Sequence, residues 1–246
     1  MPVVGFGTWK MRNDPAHEAV LAALAAGYRH IDTATMYANE TEIGRALHDS
    51  GLDRAEAFIT TKIRPSDAGR ASSVLRQSLR ALRTDYIDLW LVHWPPSHKG
   101  GSRQLWNELL ELQAEGHVTD IGVSNYTLSE VDELIRSSGQ APAVNQIDWG
   151  PTRHDDRVLA GHAERGVAVV GYSSLKNTNL DDPVLAKIAA AHDVTPAQVV
   201  LRWQIQHNVA VIPKSARPER IVANLNLFGF ALTADEMASI DGMGRS

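Results

Sequence analysis

Eight times along this chain a short apolar run is followed by a segment of helical spacing, and few folds accommodate that alternation. The runs begin near residues 28, 57, 86, 118, 143, 167, 209 and 227, the last around Phe228. Tyr86-Ile87-Asp88-Leu89-Trp90-Leu91-Val92 is nearly continuous in apolar residues, as a strand covered on both faces must be. The intervening segments carry inward positions at helical spacing. In the first, Val20, Leu21, Leu24 and Ala25 form the stripe and Gly27 closes the helix, while Ile43 and Leu47 serve the second. Strands alternating with helices imply a parallel sheet. Eight of them in 246 residues imply closure into a (β/α)8 barrel, an α/β fold, with residues 1–246 as one domain. A final helix from Ala234 to Ile240 trails behind the alternation.

In such a barrel, chemistry gathers at the carboxyl ends of the strands. Asp32 and Tyr37 follow the run at residue 28, and Lys62 and His93 end the next two. The following strands end at Ser124-Asn125, Asn145-Gln146, Tyr172-Ser173-Ser174 and Pro213-Lys214-Ser215. Taken alone, Asp32 reads first as a turn cap, Tyr37 as a packing residue and Lys62 as a surface lysine. Seven consecutive apolar strands each ending in polar residues read instead as an annular site. A phenol is a poor acid at neutral pH unless a cation lowers its pKa. Lys62 beside Tyr37 supplies that cation, Asp32 holds the ammonium, and a neutral His93 hydrogen-bonds a carbonyl oxygen.

Composition removes other classes. A net charge of −5 and a pI near 6.0 give no reason to expect nucleic acid or an anionic membrane as partner. With no cysteine in the chain, disulfides, thiolate catalysis and cysteine-bound zinc are excluded. Signal-peptide and membrane-spanning patterns are missing, so the expected location is the cytoplasm. The Gly5-x-Gly7 pair lacks the third glycine and the helix of a dinucleotide fingerprint.

At this point the chain resembles the aldo-keto reductase family, nearest its short bacterial, diketogluconate reductase-like members. The resemblance is carried by Gly5-Phe6-Gly7-Thr8-Trp9, Ile31-Asp32-Thr33-Ala34 with Tyr37, Thr61-Lys62, Asp88-Leu89 and His93-Trp94-Pro95. It continues through Ile121-Gly122-Val123-Ser124-Asn125, Asn145-Gln146, Tyr172-Ser173, Ile212-Pro213-Lys214-Ser215, Arg220-Ile221 and Asn224. It implies an oxidoreductase that reduces aldehyde or ketone carbonyls with NADPH, on a barrel without a Rossmann unit. Tyr37 is then the general acid, tuned by Lys62 and Asp32, with His93 placing the carbonyl. Ser124, Asn125 and Gln146 grip the nicotinamide carboxamide and Tyr172 stacks on its ring. Lys214, Ser215 and Arg220 take the adenosine 2′-phosphate. Thr8, Trp9, Ser173, Leu175, Pro213 and Asn224 complete the cofactor contacts, while Trp9, Trp94 and His93 line the substrate pocket. The partner implied is a small carbonyl compound, the protein a monomer, and no metal is involved.

The chain also departs from the family pattern. It opens almost at Gly5-Phe6-Gly7-Thr8-Trp9, so the hairpin that usually plugs the barrel bottom is expected to be absent, as is the long C-terminal tail. The stretch from Pro95 to Gly116 is compact. Ser174 stands where the family has proline and Ala223 where it has glutamate. These departures fall on substrate range and part of the adenine contact. Two other functions are open to such a chain. One is a metal-dependent barrel hydrolase using His30, Asp32, His93 and His154, although no second ligand cluster stands at a metal-like spacing. The other is a non-catalytic NADPH-binding barrel acting as a regulatory module.

Overall fold

A computed structural model describes residues 1–96 and 101–245. Its eight strands form one parallel sheet in chain order: β1 (Phe6–Gly7), β2 (His30–Asp32), β3 (Phe58–Ile63), β4 (Ile87–Val92), β5 (Val118–Ser124), β6 (Val144–Asp148), β7 (Ala168–Tyr172) and β8 (Ala210–Val211). A bridge between Val4 and Val211, with Gly5 N–H donating to Val211 O at 2.8 Å, joins the last strand to the first. The expected (β/α)8 barrel is therefore the fold.

One strand lies elsewhere than the periodicity places it. The strand expected near Phe228 does not form; that ring is 61% exposed, with the Arg202 guanidinium 5.8 Å from its centroid. The missing strand is β1, where Phe6 is fully buried and meets Tyr28 edge-on at 5.5 Å. Its flanking glycines disguise it, because glycine is depleted from strands. Close approach requires them here: a Cβ on Gly5 would come 2.6 Å from His30 Nδ1, and one on Gly7 2.6 Å from Ile212 O. All later strands shift up by one in number.

Eleven helices accompany the strands among the described residues: α1 (Asn13–Ala26), α2 (Glu40–Asp49), α3 (Ala71–Leu82), α4 (Gly101–Ala114), α5 (Leu128–Ser138), α6 (Asp156–Glu164), α7 (Ser174–Asn177), α8 (Pro183–His192), α9 (Pro196–Gln206), α10 (Pro218–Leu225) and α11 (Ala234–Asp241). Local sequence marks their ends. Thr127, Thr195 and Thr233 each form a capping box with the Glu or Gln three residues on. Gly27 closes α1 in the left-handed region at φ 107°. The buried face of α1 is Ala16, Ala19, Val20, Ala23 and Leu24; Leu21 is half-buried and Ala25 faces solvent, one helical step off the expected stripe. Within the expected compact stretch from Pro95 to Gly116, residues 97–100 lie outside those described. No helix among the described residues is long and apolar enough to cross a membrane.

The core has three parts, one of them a cluster around Trp149, Trp203, Leu185 and Val199. Between strands and helices lies a large apolar layer containing Trp90, Trp106, Ile59 and Val123, all buried. Inside the barrel a smaller cluster holds Leu89, Leu91, Val144, Val170 and Ala210. Side chains of a strand alternate between faces. Two residues beyond Leu91 is therefore His93, beyond Val144 is Gln146 and beyond Val170 is Tyr172, all on the inner face. That two-residue step stacks a polar layer on an apolar floor.

Candidate active site

Asp32 and Lys62 occupy neighbouring strands, with Asp32 in register with Thr60, two positions before Lys62. Both side chains are buried, and Lys62 Nζ donates to Asp32 Oδ1 at 2.6 Å and to Thr33 O at 2.8 Å. A 3₁₀ turn, Thr35–Tyr37, carries the phenol back over the pair, leaving Lys62 Nζ 5.2 Å from the Tyr37 ring centroid. The turn is anchored where Thr35 Oγ1 donates to Lys62 O at 3.0 Å. His93 directly follows β4 and meets Tyr37 edge-on, ring centroids 5.7 Å apart. Its Nδ1 is buried and has no hydrogen-bond partner among the described residues.

The electrostatics differ in one respect from the sequence reading. Burial raises the pKa of Tyr37, the Lys62 charge pulls it down, Asp32 pushes it up again, and the net direction is upward from the ordinary value of 10.0. Lys62 does act as expected, yet exclusion of water outweighs it. Burial works against the Lys62 ammonium, but the charges of Asp32 and Tyr37 prevail and hold its pKa above the ordinary value. Burial, helped by repulsion from Lys62 and opposed by Asp32, lowers His93 to about 4. The imidazole is thus neutral around pH 7 and carries a single N–H donor.

Beside this group runs a wall of amides. Gln146 Nε2 donates to Asp32 Oδ2 at 2.8 Å, and Ser124 Oγ donates to Gln146 O at 2.8 Å. Asn125, in the left-handed region at φ 65°, donates to His93 O at 3.1 Å and to Ser124 Oγ at 3.0 Å. The Tyr172 hydroxyl donates to Asn125 Oδ1 at 2.5 Å, spanning part of the barrel mouth. These groups line an open cavity of about 710 Å³ that also reaches Ser173, Leu175, Pro213 and Lys214. Trp9 and Trp94 stand at its rim, 41% and 46% exposed.

Four expected cofactor residues lie off the cavity wall. Thr8 is fully buried and its hydroxyl donates to Asp32 O at 3.0 Å, so it braces the site backbone. Ser215, Arg220 and Asn224 stand around α10, beyond the lining of the cavity. Arg220 is exposed in the first turn of α10, whose N-cap, Arg217, makes no side-chain capping bond. Uncapped N–H groups and nearby cations suit an anion. Glu219 in the same turn is a negative charge acting against it.

Several residues that hold the site have no motif to announce them. Asn39 accepts from Thr33 Oγ1 at 2.7 Å and donates to Thr8 O and Met11 O, both at 3.0 Å, tying the Tyr37 loop to the segment after β1. Lys10 and Lys176 flank the Trp9 ring at 4.5 and 5.2 Å. The hydrolase ligand set is dispersed: His30 is buried against Thr60 Oγ1 and Pro2 O, and His154 lies off the cavity wall.

Known proteins share this arrangement over nearly all of the chain. The model of the aldo/keto reductase family matches residues 3–245. An aldo-keto reductase of Mycolicibacterium vanbaalenii is 45% identical over 246 residues, covering 99% of this chain and 88% of that protein. The crystal structure of an aldo/keto reductase from Brucella melitensis superposes with a TM-score of 0.95 at 40% identity, covering 99% of this chain and 95% of the other. A Bombyx mori aldo-keto reductase in complex with NADP gives a TM-score of 0.92 at 31% identity, covering 99% and 89%. With the family's pattern matched from end to end and its fold reproduced, the chain belongs to the aldo/keto reductase family of oxidoreductases.

Proposed function

We propose that this protein reduces aldehyde or ketone carbonyls to alcohols, with NADPH as hydride donor and Tyr37 as general acid. The observation that carries the reading is the buried Asp32–Lys62 pair beneath Tyr37, with His93 beside it at the cavity. The residues present fit the cofactor. An amide wall stands next to the phenol, Tyr172 offers a ring at the mouth, and Lys214, Ser215 and Arg220 gather near an uncapped helix end. Ser124, Asn125 and Gln146 would hold the carboxamide, and Ser173, Leu175 and Pro213 the middle of the molecule. Lys214, Ser215 and Arg220 would hold the 2′-phosphate and Asn224 the adenine. For Asn125 Oδ1 to take part, the Tyr172 hydroxyl must first release it.

When bound, the cofactor supplies a hydride to the carbonyl carbon. The carbonyl π pair moves to oxygen, which takes the Tyr37 proton, and the phenolate left behind faces the Lys62 ammonium. Neutral His93 donates its N–H to the same oxygen and aims the carbon, a role suited to an uncharged imidazole that lines the cavity. The raised pKa of Tyr37 keeps the phenol protonated at neutral pH, the state that reduction requires. Lys62 limits how far burial raises it, preserving acidity for the transfer.

The test is Tyr37→Phe. It keeps the ring and removes the proton, so kcat for a small aldehyde should fall by about 10²–10⁴. NADPH affinity, followed by fluorescence, should stay within about twofold. Undiminished turnover would remove Tyr37 from the mechanism.

A further inference from the structure

Away from the catalytic cavity, four side chains from three segments converge. His154 follows β6, Asp156 opens α6, His207 caps the carboxyl end of α9, and Asp241 ends α11. None of the four lines the cavity. His154 Nε2 is 2.8 Å from Asp156 Oδ1 and 4.0 Å from Asp241 Oδ1, and His207 Nε2 is 3.0 Å from Asp241 Oδ1. The ligand atoms of His154, Asp156 and His207 all lie within 4.8 Å of one another. We propose that this cluster is a binding site for a zinc-class divalent cation, held by the imidazoles of His154 and His207 and the carboxylate of Asp156.

Bonds of about 2.0–2.1 Å to nitrogen and oxygen put tetrahedral donors about 3.3 Å apart, inside the range spanned here. Two nitrogens and a carboxylate oxygen suit zinc and its first-row neighbours better than magnesium or calcium, which prefer oxygen alone. Two features of the surroundings point the same way. Trp203 Nε1 donates to Asp241 Oδ1 at 2.8 Å, which holds that carboxylate beside the His207 imidazole as an outer contact. The carboxyl ends of α9 and α11 both reach this cluster, adding partial negative charge that favours a cation. The imidazoles are held by stacked indoles: Trp149 and Trp203 lie 4.7 Å apart and each packs edge-on against both histidines. A cation here would tie the end of α9 to the loop carrying Arg153, which does line the cavity and pairs with Asp148 at 3.1 Å.

The experiment is metal titration of chelator-stripped protein, independent of any reductase activity. Zn²⁺ is followed by calorimetry and Co²⁺ by visible absorption. The expected result is one ion per chain, a tetrahedral Co²⁺ spectrum and a higher melting temperature with Zn²⁺. His154 is 3% exposed and packed among tryptophans, so its variants risk misfolding. Asp156→Asn and His207→Gln carry the test instead, since those side chains are 68% and 16% exposed. Each should weaken Zn²⁺ binding at least about tenfold and lose the thermal shift. His17→Gln, at the separate His17–Asp49 pair, should change neither. Absence of stoichiometric binding, or wild-type affinity in either Asp156→Asn or His207→Gln, overturns the site.

Discussion

Replacing Lys62 by methionine keeps most of the side-chain volume and deletes the charge at the centre of the site. Lys62 is fully buried, and its ammonium is bonded to Asp32 Oδ1 at 2.6 Å and Thr33 O at 2.8 Å. At an effective dielectric of about 20, unit charges at that separation attract by roughly 6 kcal/mol, from which the desolvation of both groups must be subtracted. The net value of the pair is therefore small, but breaking it is not. The variant leaves the Asp32 carboxylate, 2% exposed, with Gln146 Nε2 as its remaining side-chain donor. Orphaning one partner of a buried pair costs about 3–5 kcal/mol. Asp32→Asn combined with Lys62→Met removes both charges, and most of the loss should return, giving a coupling of about 2 kcal/mol or more. Urea unfolding followed by tryptophan fluorescence suits the measurement, because Trp90, Trp106, Trp149 and Trp203 are all buried in the core. In the single variant kcat should also fall by about 10²–10⁴, since burial would raise the Tyr37 pKa unopposed. A stability loss below about 1 kcal/mol, or a double variant whose losses simply add, refutes the reasoning.

The other predictions concern the cofactor and acid stability. NADPH should be preferred to NADH, and Arg220→Ala should raise the NADPH KM about tenfold or more with little change for NADH, one charged hydrogen bond contributing about 1.5–3 kcal/mol. Equal KM values for the two cofactors in the unmutated protein would reduce Lys214 and Arg220 to a solvated face. His30 is held at about 4, chiefly by burial, against an ordinary value of 6.5. The unfolded chain therefore binds more protons between those values, so stability should fall as pH drops from about 6.5 toward 4, by up to roughly 3 kcal/mol. Urea melts across that interval, with the His30 ring followed by NMR, check it; a His30 titration near its ordinary value would contradict the assignment.

Much of the fold could be read because a strand buried on both faces is a near-continuous apolar run, as Tyr86 to Val92 is apart from Asp88. Much of the site could be read because inner-face residues come every second position, so the polar group after an apolar run faces the barrel mouth. The same logic explains the error at β1. Gly5 and Gly7 carry no hydrophobic signal, and the reason they are glycine, contact with His30 and Ile212 O, exists only once the barrel has closed. Phe228 misled in the opposite sense, since an exposed aromatic residue covered by Arg202 looks in sequence like a buried one. Residues such as Asn39, which ties the loop after β2 to the segment after β1 through three hydrogen bonds, carry no local pattern at all.

The Tyr37 pKa shows where such reading stops. Residue identities establish that a lysine, an aspartate and a tyrosine meet, and Coulomb's law then sets the sign of each pairwise effect. The net direction depends on how much water the fold excludes, and that is a property of loops. The 3₁₀ turn Thr35–Tyr37, pinned through Thr35 to Lys62 O, and the ring of His93 together bury the phenol enough for desolvation to win. On the proposed mechanism, a site organised this way holds its acid protonated at rest and relies on Lys62 to stabilise the negative charge that forms when the proton leaves. The cation therefore acts mainly on the product of proton transfer, and its loss should slow the chemical step far more than it weakens substrate binding. If kcat/KM fell in Lys62→Met with kcat intact, the ammonium would be a binding group and this account of the buried pair would be wrong.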